Sequence, residues 1–259
     1  MNRMSTLICS SLAAMIILLA VANPAVSQDT KKAGMTPAVK TLVDQCTAAY
    51  TKMKSYHHIA VFKVDGEGPN GPVKRERRYV LALERPAKFC FKSEGSSEVA
   101  CVSDGKTFIN FNGKQYTKKP APPAYKGINI VDDVLFQPLA TYVIALMLQG
   151  NALADKDVKA ALEQASIGAP MTEGGKKWTV LNLPFGQGGA AAKVYVDSET
   201  HLIGRLTQTA GGGAFKILET YEKVLIDKPG DAALFQFTPP ADAKLVEKLP
   251  PPLGGPQED

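Results

Sequence analysis

The stretch Val134–Leu148, VLFQPLATYVIALML, is apolar on every side, and its reading decides the fold. A membrane-spanning helix needs about 20 such residues, and this run is shorter. A helix that is hydrophobic all round in an aqueous protein has to be covered by other elements. Pro138 suits a first helical turn and Gly150 a helix stop, which predicts a helix from about Pro138 to Gln149. The segments on both sides read as short strands and tight turns. The expected architecture is therefore mainly β with α, one antiparallel sheet curled around this helix.

Working back from the helix, Pro120-Ala121-Pro122-Pro123 ends a run of brief strands, because proline cannot donate to a sheet ladder. Those strands are Phe89–Phe91, Glu98–Val102, Lys106–Phe111 and Lys114–Lys118, separated by Gly95-Ser96, Asp104-Gly105 and Asn112-Gly113. Asp-Gly and Asn-Gly are strong hairpin signals for a turn with positive φ at both central residues, so a meander is expected. Earlier, Tyr56–Val64 and Arg75–Leu83 read as strands joined by a Gly- and Pro-rich loop over Asp65–Pro72. In the second of these, Tyr79, Leu81 and Leu83 share one face, and Val80 and Ala82 the other. Before them, Val39, Leu42, Val43, Cys46, Ala49, Tyr50 and Met53 recur at helical spacing behind Thr36 and Pro37, an amphipathic helix with its cap and first-turn residue.

Beyond the apolar helix, Asp155–Ala165 predicts a second, weaker amphipathic helix, which with the first could cover the mouth of the sheet. Strands then return at Ser166–Thr172, Lys177–Leu183, Ala192–Val196, Leu202–Thr209, Phe215–Leu225 and Leu234–Phe237. Gly186–Gly189 fails as a phosphate loop because no Ser or Thr follows Lys193.

The N-terminus carries Arg3, an apolar run from Leu7 to Val21 and the small-residue pattern Ala25-Val26-Ser27, which together read as a secretory signal peptide over residues 1–27. A leader at 28–35, a single domain at 36–246 and a disordered Pro- and Gly-rich tail at 247–259 complete the expected organisation. Without the signal peptide, 29 basic side chains face 25 acidic ones. That balance, and export, exclude a nucleic-acid surface. The cluster Lys74–Arg78 reads as a solvated strand start, with anionic lipid headgroups as its alternative partner.

Three cysteines remain after processing, Cys46, Cys90 and Cys101. Counting outward from Gly95-Ser96 places Cys90 opposite Cys101, and the expected disulfide joins them, leaving Cys46 free or in an alternative bond. Histidines are limited to His57, His58 and His201, and no metal-binding or nucleophile motif accompanies them. His57 and His58 would point to opposite faces of one strand and cannot share a metal there; each reads as a strand-edge residue. Asp132-Asp133 could favour the N-terminus of the apolar helix electrostatically.

Glu84–Phe89, Val102–Phe108 and Gln115-Tyr116, followed by Val194–Leu202 and Phe235–Ala243, resemble in order and spacing the LolA-like lipoprotein-sorting proteins. They resemble still more the predicted periplasmic proteins of unknown function that share that fold. The resemblance implies an incomplete, half-open antiparallel β-barrel whose apolar interior is covered by helices and accepts acyl chains, with no cofactor and no catalytic residue. It also implies an arginine tying the lid to the barrel wall, for which Arg77, Arg78 and Arg85 are the candidates. Gly204 departs from the family pattern, which often has proline there.

The function expected is that of a non-enzymatic periplasmic binding protein, monomeric, holding a lipid or the acyl chains of a lipoprotein. The alternative is an envelope interaction or sensor module of the same fold with a filled core and a protein partner. The cavity candidates are Tyr79, Leu81, Phe89, Phe91, Phe108, Leu135, Phe136, Leu139, Tyr142, Val143, Leu146 and Trp178.

Overall fold

The computed structural model describes residues 34–68, 71–94, 99–128, 139–185, 190–228 and 230–250. The expected signal peptide, most of the leader, Asp132-Asp133, Leu135, Phe136 and the tail beyond 250 lie outside the described residues.

Helix α1 (Pro37–Thr51) begins where the Thr36 side chain accepts from the Val39 N–H at 3.4 Å, with Pro37 in the first turn. Its buried stripe is Val39, Leu42, Val43, Cys46 and Tyr50, as the periodicity predicts. Helix α2 (Leu139–Leu148) is the apolar helix. It stops because Gly150 adopts φ 75°, letting the Gly150 N–H reach Met147 O at 2.9 Å and the Asn151 N–H reach Leu146 O at 3.0 Å. These two bonds satisfy carbonyls that a helix end leaves without partners. Helix α3 (Lys156–Glu163) is capped by the Asp155 carboxylate, which accepts from the N–H groups of Asp157 and Val158.

The strands are β1 (Ser55–Gly68), β2 (Gly71–Glu84), β3 (Lys88–Ser93), β4 (Ala100–Asp104), β5 (Thr107–Phe111), β6 (Gln115–Pro120), β7 (Ser166–Ile167), β8 (Met171–Glu173), β9 (Lys176–Phe185), β10 (Ala190–Asp197), β11 (Ile203–Ala210), β12 (Phe215–Ile226) and β13 (Lys244–Leu245). They form one open sheet in the order β13-β6-β5-β4-β3-β2-β1-β12-β11-β10-β9-β7, with β8 also on β9. Among the described strands, only β13 runs parallel to its neighbour. The first and last halves of the chain meet where β1 pairs with β12, so β1 is central and not an edge.

Alternation along the strands builds two apolar layers. Tyr79, Leu81 and Leu83 join the main core with α1 and α2, while Val80, Ala82, Cys90 and Val102 face the other way and are covered by Phe235. Phe235 belongs to a short 3-10 turn, Ala232–Phe235, where a strand was expected. The Asp231 carboxylate that accepts from the Ala233 N–H supplies that turn.

Three further expectations are corrected. The loop expected over Asp65–Pro72 is strand almost to its tip, with Gly68 opposite Gly71. Gly66 is glycine because a Cβ there would lie 2.2 Å from Ala214 O, where the return of β12 crosses it. In the two described meander turns, at Asp104-Gly105 and Asn112-Gly113, only the glycines take positive φ. Asp104 and Asn112 instead accept from the N–H groups two and three residues on, which closes the turn by side chain and not by a left-handed backbone. Finally, the disulfide expected between Cys90 and Cys101 is absent, and all three described cysteines are free and buried. The register sets Phe91 opposite Cys101 and Cys90 opposite Val102. A shift of one residue puts the two thiols on opposite faces of the sheet, where no bond can join them.

Candidate functional site

An entirely apolar cavity of about 30 Å³ lies between the three helices and the last half of the sheet. Helix α1 contributes Leu42, Val43 and Cys46, α2 contributes Leu139, Ala140, Val143 and Met147, and α3 contributes Val158, Ala161 and Leu162. The floor is the inward row of β9, β10 and β11, namely Leu181, Leu183, Val194, Val196, Ile203 and Leu206. Period-two alternation on three adjacent strands and helical stripes on the elements above produce this lining.

Of the residues singled out from sequence, Leu139 and Val143 line this cavity. Tyr79, Leu81, Phe89, Phe91, Phe108 and Leu146 are fully buried in the main core, under the other half of the sheet. Tyr142 is half-buried beside that core, and its hydroxyl donates to Asp155 Oδ2 at 2.8 Å, tying α2 to the cap of α3. Trp178 is half-buried on β9 and stacks over Gly204, where a Cβ would fall 2.4 Å from the indole ring. That contact accounts for glycine at the position where the resembling family often has proline.

The cavity's roof is fastened by polar groups at both ends of α2. At its N-terminus the buried Glu219 carboxylate of β12 accepts from the N–H groups of Ala140 (2.9 Å) and Thr141 (2.8 Å) and from the hydroxyls of Thr141 (2.6 Å) and Tyr221 (3.0 Å). An anion is favoured at that end of a helix. Behind it runs a chain of donors. The Ile203 N–H donates to Tyr50 Oη at 3.0 Å, Tyr50 bonds Tyr56, and Tyr56 Oη lies 2.9 Å from His58 Nδ1. His58 Nε2 lies 3.4 Å from Thr141 Oγ1, which donates onward to Glu219. With Thr141 donating to the carboxylate, His58 carries its proton on Nε2 and accepts from Tyr56 on Nδ1.

Burial governs the protonation of this group. It lowers His58 to about 3, with His57 adding to the effect, so the imidazole is neutral. It raises Glu219 above the ordinary carboxylate range, and the hydroxyl and amide donors pull it part of the way back. Tyr50 and Tyr221 are raised well above their ordinary value, first by burial.

At the opposite end, Arg85 donates from Nη2 to Leu148 O and from Nε to Met53 O, both at 2.7 Å. A cation on the last carbonyl of α2 complements the helix dipole. Of the three arginines considered from sequence, Arg85 is thus the one on this helix. Arg78 is bound to Glu94 and Glu222. Between the two ends the Tyr125 hydroxyl donates to Ala145 O at 3.0 Å, and the Thr51 hydroxyl to Met147 O at 3.4 Å.

Sequence reading missed Glu219, Thr141, His58, Tyr56 and Tyr221 as a group. The available signal was in β12, where Ile217, Glu219 and Tyr221 share one face with an acid inside an otherwise apolar row.

No family model matches the sequence, and no curated protein matches it. Among solved structures, the chain is similar to an uncharacterized conserved protein from Thermus thermophilus, at 10% identity over 81% of this chain and 98% of that one, with a TM-score of 0.46. A LolA superfamily protein from Nitrosomonas europaea matches at 7% identity over 77% and 97%, with a TM-score of 0.31. The lipoprotein LppX of Mycobacterium tuberculosis matches at 13% identity over 76% and 98%, with a TM-score of 0.35. The solved structures to which this chain is similar therefore include LolA-like proteins, the group that its sequence motifs resemble.

Proposed function

We propose that the chain is an exported, non-enzymatic binding protein of the periplasm that takes the acyl chains of a lipid or lipoprotein between its three helices and the β9–β11 floor. In this reading residues 1–27 are removed as a signal peptide, residues 36–246 form the binding domain around α2, and residues 247–259 form its tail. The observation that carries the reading is the wholly apolar cavity beneath a helix fastened at its two ends by single side chains, Glu219 and Arg85. An apolar lining recognises its ligand by shape and buried area. At about 30 Å³ the cavity is far below the roughly 300–1,000 Å³ of a pre-formed ligand pocket, so in this reading α2 has to shift to admit a chain.

The same small volume favours a second reading, an envelope interaction module whose core is simply filled. Native mass spectrometry of the protein from its own periplasm, with lipid extraction in parallel, separates the two. A stoichiometric lipid or acylated peptide supports the carrier. A bare mass that stays bare after incubation with envelope lipids overturns it in favour of the module.

A further inference from the structure

We infer that Glu219 is the polar subsite of this cavity and takes the ammonium of a single-chain amine whose chain lies beneath α2. The inference rests on the chain-binding reading above and adds the chemistry of the ligand's polar end.

Glu219 stands against the cavity wall. Its cross-strand partner on β11 is Leu206, and its carboxylate accepts from the Ala140 N–H; both Leu206 and Ala140 line the space. Directly opposed residues have Cβ atoms about 5 Å apart, so the carboxylate lies close to any chain lying in the cavity. An amine within a few bonds of its chain reaches that position. A head group carried beyond a glycerol and a phosphate does not.

The free space lies under the end of α2 that Glu219 holds. Of the α2 residues lining it, Leu139, Ala140 and Val143 belong to the N-terminal half and Met147 to the other. The C-terminal half is bonded from three separate segments, by Thr51 at Met147 O, Arg85 at Leu148 O and Tyr125 at Ala145 O. Gln149, just beyond the helix, donates to Tyr125 O at 3.0 Å and to Ile128 O at 2.6 Å. Widening the cavity for a chain therefore lifts Ala140 and Thr141 away from the carboxylate.

That movement removes three donors, the N–H groups of Ala140 and Thr141 and the Thr141 hydroxyl. The partial positive charge of the helix N-terminus leaves with them. Tyr221, on the same strand as Glu219, stays and keeps its bond. The donors that Glu219 has in the structure are all neutral, and among the described residues no lysine or arginine pairs with it. The imidazole of His58, behind Thr141, is neutral as well. Yet Glu219 is fully buried, where a charge ordinarily has a counter-ion. A primary ammonium carries three donors and a full positive charge, which replaces what the helix takes away and supplies the missing counter-ion. A ligand ending in a carboxylate or phosphate would meet an anion there.

The test compares oleylamine, oleyl alcohol and oleate, which share one chain, for binding to the delipidated full-length protein at about pH 8, where the amine is charged. The wild-type protein is expected to bind the amine about tenfold or more tighter than the alcohol, with oleate weakest. E219Q should bring the amine-to-alcohol ratio close to one. E222Q, which removes an acid paired with Arg78 on the opposite face of the sheet, should keep it. Hydrogen exchange at the Ala140 and Thr141 amides should speed up when oleylamine binds, because their acceptor has passed to the ligand. Equal binding of amine and alcohol by the wild type, an unchanged ratio in E219Q, an equal loss in E222Q, or slower exchange at those two amides overturns the subsite while the cavity reading stands. The wild-type ratio and the exchange measurement decide the matter even if E219Q does not fold. Binding of none of the three probes overturns the cavity reading itself, and the subsite with it.

Discussion

Glu219 of β12 and Thr141 of α2 are joined twice, through the Thr141 N–H at 2.8 Å and its hydroxyl at 2.6 Å, across 78 positions of sequence. This pair ties the first described turn of the roof helix to β12. Replacing the carboxylate in E219Q puts an amide NH₂ where an acceptor is required, so at least one buried donor loses its partner. The expected cost is about 1–3 kcal/mol, read by urea denaturation. Hydrogen exchange should show Ala140 and Thr141 opening faster than the β1–β2 core. An unchanged stability would mean that the helix N-terminus is held by packing alone.

That relationship shows why part of the site was illegible in the sequence. Helix α1, helix α2 and the two-faced burial of β2 follow from local periodicity and capping residues, all readable within a dozen positions. The position of Cys90 against Cys101 depends instead on one residue of register, which the strand-to-strand turn sets and the composition of Gly95-Ser96 did not reveal. Glu219 and His58 meet only after β12 pairs with β1, a contact between the two ends of the chain. Aromatic content drew attention to Phe89, Phe91 and Phe108, which are buried in the main core and are not part of the cavity lining. The cavity forms where Leu, Val and Ala line three strands and three helices.

Burial lowers His58 from an ordinary 6.5 to about 3, so the unfolded chain takes up its proton at a higher pH than the folded one. Its contribution is complete above about pH 6.5 and is lost as pH falls toward 3, at up to roughly 1.4 kcal/mol per unit. Glu219 acts with the opposite sign. Its raised value favours the folded state below the ordinary 4.5, and that benefit disappears as pH rises through the folded value. The His58 part of acid destabilisation should therefore begin near pH 6.5, opposed by Glu219 between 4.5 and its raised folded value. H58Q should flatten the slope of stability against pH between 6.5 and 4.5, whatever it does to the level. A slope identical to wild type would show that other groups dominate.

Arg85 ties the C-terminal end of α2 to the segment just after α1, donating from one guanidinium to Leu148 O and to Met53 O. R85K supplies a single ammonium that cannot reproduce the fork, and R85A supplies nothing. Losses of about 1 and 2–3 kcal/mol, respectively, are expected, with faster exchange of the last turn of α2. If opening of this helix admits the ligand, R85A should also load lipid faster. Slower loading would place the entry elsewhere.

Cys90 is buried between β2 and β4, and burial pushes its thiol up to about 12. Cys46, in α1 at the cavity, is likewise raised to about 12. Neither forms much thiolate at neutral pH, and the thiolate is the reacting species. Iodoacetamide should leave both unmodified in the folded protein and should label Cys46, Cys90 and Cys101 in urea without any reductant. Recovery of only one label under those conditions would restore the disulfide that the register excludes.

Ala161 faces the cavity from α3, and filling it tests whether the space is used. A161L adds a side chain about the size of the free volume, so a cost near 1–3 kcal/mol from crowding, or a small gain if the space simply fills, is expected. L162A does the reverse, enlarging the cavity at about 2–5 kcal/mol. If acyl chains occupy this space, A161L should weaken dioleoyl lipid binding, whereas L162A should preserve or strengthen it despite its lower stability. Opposite movements of binding and stability in L162A separate ligand contact from mere folding. Parallel losses in both variants would point to a filled core that carries no lipid.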